Sequence, residues 1–580
     1  MHMPTSSRWQ LSRPSPTSRD GMVAAKTPGA VDAGTAMLQR GGNAIDAAVA
    51  TAFASGVAEP WMNGVGGGGF LVAWIEKEQR SIAIEFPMIS PSGATEDMFP
   101  LAGRGVDSAL FGWPTVKDQA NVVGHRSVAI PGTVDGLALA LERYGTRSLA
   151  EVLQPAIALA RDGVPVSWHT TYMIGRDAIT LSRFPATAGI FLGNNGFAPS
   201  TVDASNPTML RQPDLAATLE GIANNGSRWF YEGEIAQAIT GHLAEHGGTH
   251  AADDFARYHA SETTPRDISY RDTIVTTVGG PSGGSSLSQI VRALNRLDIA
   301  ASGHNTTQAI HHISQLYRRA YADRFSYFGD PDHIDVPFDA LLCDDYIDEM
   351  VAELTEGPAG KPRAATKERL GVTHDLAPSV SEYMKDGSTT HLSTADSAGN
   401  VVAITQTLLS AWGSRVVAPG TGVLLNNGMM WFDPEPGRPN SVAGRKRPLA
   451  NMAPVVIRRG NSAIATLGSS GGRKISYCNT QLIMNLIDHG LGMQDAIEAP
   501  RFDTSTPNLN ISDRISQETR KELSELGHQI VPIDESLLLG SFASPVGIAR
   551  DGDGLLTGGV DPWYFPATAG APPLTKTGSR

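Results

Sequence analysis

The chain has 580 residues, 41% of them hydrophobic and 62 of them glycine, so it can bury a large core, and its length alone suggests several domains. A formal net charge of −13 leaves no basic footprint for nucleic acid, and an acidic substrate would need a local basic pocket. Two cysteines, Cys343 and Cys478, are too few for a disulfide framework, and no Cys/His spacing resembles a zinc site, so no metal is expected.

Residues 1–20, rich in Ser, Pro and Arg, read as a disordered tail without the apolar stretch of a secretory signal, and a cytoplasmic location follows as the expectation. A strand-like run begins at Met22. Alanine-rich helices are predicted from Pro28 to about Arg40, closed by Gly41-Gly42, and from about Ala44 to Gly56. The glycine loop at 64–69 lacks the Gly-Lys-Ser/Thr ending of a phosphate-binding loop, so close backbone packing beneath a site explains it better than a nucleotide. Helical apolar spacing marks 148–162, 306–324 and 476–490, the last placing Cys478 in the core. No run of about 18 apolar residues occurs, so no membrane span is expected. From 354 to 388 the chain turns polar, as a flexible, cleavable arm would.

Beyond that arm, the β-branched runs from Thr389 to Asp396 and from Val401 to Leu408 flank the turn residues Ser397-Ala398-Gly399-Asn400 and predict a hairpin. Centred near Ala398, it sets Thr389 opposite Thr407 within about one residue of register. An internal threonine hydroxyl is a poor nucleophile, but a threonine freed at a chain N-terminus carries its own base, an α-amine of pKa about 8. Cutting Ser388–Thr389 would therefore switch the chemistry on. Further on, the apolar strand Ile464-Ala465-Thr466-Leu467 runs into Gly468-Ser469-Ser470-Gly471-Gly472 ahead of a helix-like run from Ile475. Such a small-residue turn exposes consecutive backbone N–H groups, as a tetrahedral oxyanion requires.

Seven segments in order carry a resemblance: Gly41-Gly42-Asn43-Ala44-Ile45-Asp46-Ala47-Ala48, Asn63-Gly64-Val65-Gly66-Gly67-Gly68-Gly69-Phe70, Val128-Ala129-Ile130-Pro131-Gly132-Thr133, Tyr321-Ala322-Asp323-Arg324 with Gly329-Asp330-Pro331, Thr389-Thr390-His391, Gly420 through Asn427, and Gly468 through Gly472. Over nearly its whole length the chain resembles a γ-glutamyltransferase-type proenzyme of the N-terminal-nucleophile hydrolase superfamily. The resemblance implies one four-layer αββα body formed by two chains from one precursor, a large subunit 21–388 and a small catalytic subunit 389–580. It implies Thr389 as nucleophile and Gly471 and Gly472 as oxyanion donors. The expected partner is a small amide or acyl substrate, with water or an amine as acceptor. No cofactor, nucleic acid or membrane is expected; the chain would form a heterodimer of its own fragments, with a dimer of these left open.

The expected mechanism has two stages. Thr389 attacks the Ser388 carbonyl and the ester hydrolyses; then the freed α-amine activates the same hydroxyl while Thr407 orients it. Specificity departs from the family. Pro87 stands where γ-glutamyltransferases carry the arginine for the substrate α-carboxylate, and Trp431 where they carry the aspartate for its ammonium group. Leu409 and Gly428 replace an asparagine and a glutamine, and Ala450-Asn451 replaces a serine pair. The substituted pocket implies an acyl group other than γ-glutamyl, since an amino-acid head group would lie desolvated without partners. Trp412, Met429, Met430, Trp431 and Phe432 are expected to form an apolar rim, and Arg415, Arg473 and Lys474 to offer cations for a carboxylate. The alternatives are a true glutathione hydrolase, a carbon–carbon bond hydrolase of secondary metabolism and a non-catalytic homologue.

Overall fold

The computed structural model describes residues 11–106, 113–193, 195–360, 363–373, 388–537 and 542–573. Of the expected arm, 361–362 and 374–387 lie outside the described residues, as do 1–10 of the expected tail. The rest of that tail is tied down: Thr17–Ser18 pairs with Leu556–Thr557, and the Arg13 N–H donates to Glu498 at 2.8 Å.

Two seven-stranded antiparallel sheets face each other. The first carries, in spatial order, Thr568–Gly570, Gly21–Ala25, Thr390–Asp396, Val401–Thr407, Gly68–Ile75, Arg80–Phe86 and Ser261–Thr263. The second carries Thr17–Ser18, Leu556–Val560, Ser544–Arg550, Ser462–Ser470, Val455–Arg459, Thr273–Thr277 and Arg266–Tyr270. Their inner faces pack together, and the Thr466 hydroxyl donates across the gap to the Val402 carbonyl at 3.0 Å. Helices Pro28–Gln39, Ala44–Ala58 and Thr133–Tyr144 cover the outer face of the first sheet, with Leu149–Asp162 packed beyond them. Gly283–Leu294 and Lys474–Ile487 cover the second, with Thr307–Tyr327 packed beyond them. This is the four-layer αββα arrangement.

Local chemistry sets the helix boundaries. Proline at the first turn opens Pro28–Gln39, while Asn43 caps Ala44–Ala58 by accepting from the Ile45 and Asp46 amides, with Asp46 answering back to the Asn43 N–H. Ser148 and Glu151 form the same reciprocal box at the start of Leu149–Asp162.

The central hairpin pairs Thr390 with Gln406 and, five residues on, Ala395 with Val401, so the register continues to Thr389 opposite Thr407. Its strands lie between Gly21–Ala25 and Gly68–Ile75, which precede the Ser388–Thr389 bond in sequence. Each sheet interleaves strands from both sides of that bond. A cut there leaves two interwoven chains rather than two separable domains.

Candidate active site

The hairpin buries two hydroxyls around one carbonyl. Thr389 is 4% exposed and Thr407 fully buried. The Thr389 hydroxyl donates to the Ser388 carbonyl oxygen at 2.5 Å, and the Thr407 hydroxyl donates to the same oxygen at 2.6 Å, with the two hydroxyl oxygens 3.4 Å apart. Thr407 has one proton, and at 2.6 Å it goes to the carbonyl rather than to Thr389. Thr407 is therefore bonded to the Ser388 carbonyl rather than to the Thr389 hydroxyl.

Leu409 locks this geometry from its backbone. Its N–H donates to the Thr407 hydroxyl oxygen at 2.8 Å, and its carbonyl accepts from the Ser388 N–H at 3.3 Å. To do both it sits at φ 90°, a strained conformation for a branched side chain. On the other side, the Ser388 hydroxyl donates to the Trp61 carbonyl at 2.8 Å and lies 3.0 Å from the Met62 sulfur. The peptide on the N-terminal side of Thr389 is thus gripped by both flanks.

The glycine loop is the floor of this arrangement. A Cβ on Gly67 would lie 2.3 Å from the Thr407 carbonyl oxygen, so only glycine lets the loop pass beneath the strand. The Asn426 side chain ties the loop to its neighbour by donating to the Gly66 and Ala129 carbonyls, both at 2.8 Å.

Gly471 and Gly472 close the strand Ser462–Ser470 just before the helix Lys474–Ile487, at φ 143° and 61°, values that glycine alone adopts cheaply. Gly471, Ser470 and Ser388 line one cavity of about 90 Å³. Apolar and aromatic groups from Met62, His169, Met173, Phe542 and Tyr564 share its wall with Lys474 and Arg501.

A buried charge network lies behind the strand Thr390–Asp396. The Glu59 carboxylate accepts from the hydroxyls of Thr390 and Tyr564, the latter at 3.2 Å. Lys26 donates to the Ser544 carbonyl at 2.6 Å, and Ser544 pairs with Ser470 next to the Gly471 turn. Its ammonium also lies 4.8 Å from the centre of the Tyr564 ring. Burial pushes the Glu59 carboxyl up to about 7 and the Lys26 ammonium down to about 8, against the attraction between them.

The other residues singled out from the sequence lie elsewhere in the fold. Pro87, Arg415, Trp431, Asn451 and Arg473 do not line the cavity at Ser388. Trp431 and Asn451 are buried, and the Trp431 indole N–H and both polar atoms of the Asn451 amide have no partner among the described residues. Pro87 is buried, its carbonyl accepting from the Tyr258 hydroxyl at 2.8 Å. Arg415 pairs with Asp177 at 3.4 Å, and the Arg473 guanidinium stacks 4.4 Å from the Phe325 ring centre. Trp412, Met429, Met430 and Phe432, expected at a rim, are at most 3% exposed. Of the three expected cations, Lys474 lines the cavity.

Sequence reasoning missed Glu59, Lys26, Trp61, His169 and Tyr564. The one local signal was Pro60-Trp61-Met62, directly ahead of the glycine loop. The others reach the site only through chain packing.

A profile described as gamma-glutamyltranspeptidase matches residues 30–570. The chain belongs to the γ-glutamyltranspeptidase family. Among this family's members, an acylase ACY 1 proenzyme of Pseudomonas sp. (strain V22) is 36% identical over 547 residues, 93% of this chain and 92% of its own. A glutathione hydrolase proenzyme of Escherichia coli (strain K12) is 33% identical over 562 residues, 94% of this chain and 90% of its own. A cephalosporin acylase from Bacillus halodurans superposes with a TM-score of 0.85 at 27% identity, covering 98% of this chain and 99% of that one. Membership makes the chain an enzyme of the hydrolase and transferase kind.

Proposed function

We propose that this γ-glutamyltranspeptidase-family chain cuts itself between Ser388 and Thr389 and then hydrolyses, or transfers the acyl group of, a small amide whose acyl part is not γ-glutamyl. The observation that carries the reading is the pair of hydroxyls converging on the Ser388 carbonyl oxygen at 2.5 and 2.6 Å. In the first stage the Thr389 oxygen bonds to the Ser388 carbonyl carbon while Thr407 stabilises the developing oxyanion. The C–N bond then breaks, the Thr389 nitrogen takes the proton lost by the hydroxyl, and water hydrolyses the resulting ester. The products are residues 1–388 and 389–580.

In the second stage the Thr389 amine takes the hydroxyl proton, and the oxygen attacks the substrate carbonyl. Gly471 and Gly472 receive the oxyanion, the amine component leaves with a proton, and water or an amine releases the acyl group. Departure of the new Ser388 carboxylate opens the adjoining cavity to the nucleophile.

Specificity is read from the family positions that have changed. With Pro87 and Trp431 in place of Arg and Asp, two charge-assisted contacts of about 1.5–3 kcal/mol each are missing for a γ-glutamyl head group. The wall beside Ser388, with Met62, Met173, Phe542 and Tyr564, supports an acyl group with an apolar body instead. The acylase relatives support the same direction. The test compares fully processed enzyme on glutathione and γ-glutamyl anilide with glutaryl and simple aliphatic acyl amides. Efficiency on the γ-glutamyl substrates should fall about two to four orders of magnitude short of that typical of a γ-glutamyltransferase. Glutathione hydrolysis at an ordinary γ-glutamyltransferase rate would return the chain to the glutathione hydrolases.

A further inference from the structure

Away from the two threonine hydroxyls, three imidazoles meet, two of them four residues apart in sequence, against the expectation that no Cys/His spacing resembles a zinc site. His242 lies in the last turn of the helix Glu234–Glu245, and His246 directly follows that helix, one turn on. His125 comes from a short 3₁₀ turn, His125–Ser127, 117 positions earlier. Their nitrogens lie within 4.8 Å of one another, and among the described residues no other three histidine, cysteine or acidic groups gather so closely. The His125 and His242 Nε2 atoms are 3.1 Å apart. The His125 and His246 rings stack with centres 4.1 Å apart.

We propose that His125, His242 and His246 bind a first-row divalent transition-metal ion of the zinc type. Tetrahedral zinc with nitrogen ligands at about 2.0–2.1 Å places neighbouring nitrogens about 3.3 Å apart. The His125–His242 pair is already near that separation. The longest spacing closes with a shift of about 1.5 Å, which falls to the exposed His246 ring as it pivots out of the stack. The protein already orients that ring: Nδ1 of His246 donates to the His242 carbonyl at 2.9 Å, which leaves Nε2 for the ion. Three imidazole nitrogens suit zinc, cobalt or nickel better than magnesium or calcium.

The ion would join two layers of the site's support. The Gly124 N–H donates to the Ser414 carbonyl at 2.9 Å, and the Val122 carbonyl accepts from the Asn427 side chain at 2.9 Å. Asn427 in turn accepts from the Ser410 N–H at 3.1 Å, on the segment that follows Thr407. A metal at His125 would pin this loop to the helix Glu234–Glu245, a structural role independent of the acyl chemistry.

The experiment strips the full chain with a chelator and titrates it with Zn²⁺ and Co²⁺, reading calorimetric stoichiometry, the cobalt visible spectrum and the melting temperature. Wild type should bind one equivalent and melt at a higher temperature. His246→Gln, an exposed substitution, should weaken binding at least about tenfold without altering the metal-free melting temperature. His242→Ala should abolish the cobalt spectrum. Failure to bind one equivalent, or equal binding by wild type and both variants, would show the rings to be a metal-free aromatic stack.

Discussion

Thr407→Val is the sharpest perturbation of the proposed self-cleavage, because valine keeps the shape and strand propensity and removes only the hydroxyl. That hydroxyl donates to the Ser388 carbonyl at 2.6 Å and accepts from the Leu409 N–H at 2.8 Å, in a position wholly shut off from water. Losing a donor to a developing oxyanion costs about 2.7–4 kcal/mol, so maturation should slow by about 10²–10³-fold. The orphaned Leu409 N–H adds about 1–3 kcal/mol of destabilisation, and Leu409, already at φ 90°, has little slack with which to find another acceptor. Thr407→Ser restores both hydrogen bonds and should mature within about tenfold of wild type by the same reckoning. The assay follows conversion of the full chain into 1–388 and 389–580 by denaturing electrophoresis and intact mass, with melting curves as a folding control. A folded Thr407→Val protein that matures at the wild-type rate would refute the assigned role of this hydroxyl.

Gly67→Ala should both destabilise the fold, by about 1–3 kcal/mol, and slow maturation, because its Cβ would press on the Thr407 carbonyl from 2.3 Å; wild-type denaturant midpoint and processing would show that the loop can yield. Glu59 gives a pH prediction: its folded carboxyl is raised from 4.5 to about 7, so the folded state binds more protons over that window and stability falls as pH rises through it. The loss is on the order of 3 kcal/mol, and Glu59→Gln should flatten the melting-temperature profile between pH 5 and 7. Lys26, lowered from 10.5 to about 8, has the opposite slope, with stability regained as pH rises above about 8, and an unchanged profile in both Glu59→Gln and Lys26→Met would contradict this account of the buried pair.

The sequence by itself determined the local elements and the pairing of Thr389 with Thr407. Hairpin register follows from a period of two and one turn, which is why residues 389–408 sufficed to set Thr389 against Thr407, and the first helix started at Pro28 as expected. Glycines at 66 and 67 were legible as close packing because few other needs explain four in a row. Tertiary structure alone decided where those elements meet. The Ser388 hydroxyl finds the Trp61 carbonyl across 327 positions, Thr390 finds Glu59 across 331, and His125 finds His242 across 117. Thr407 shows the limit most plainly: the sequence placed its hydroxyl beside Thr389, but a hydroxyl proton goes to the nearest well-aimed acceptor, and only the folded backbone put the Ser388 carbonyl there. Trp412 and Met429 through Phe432 make the same point for the pocket, since aromatic and methionine side chains suit a substrate rim and a closed core equally, and the choice between them belongs to the packing of distant segments.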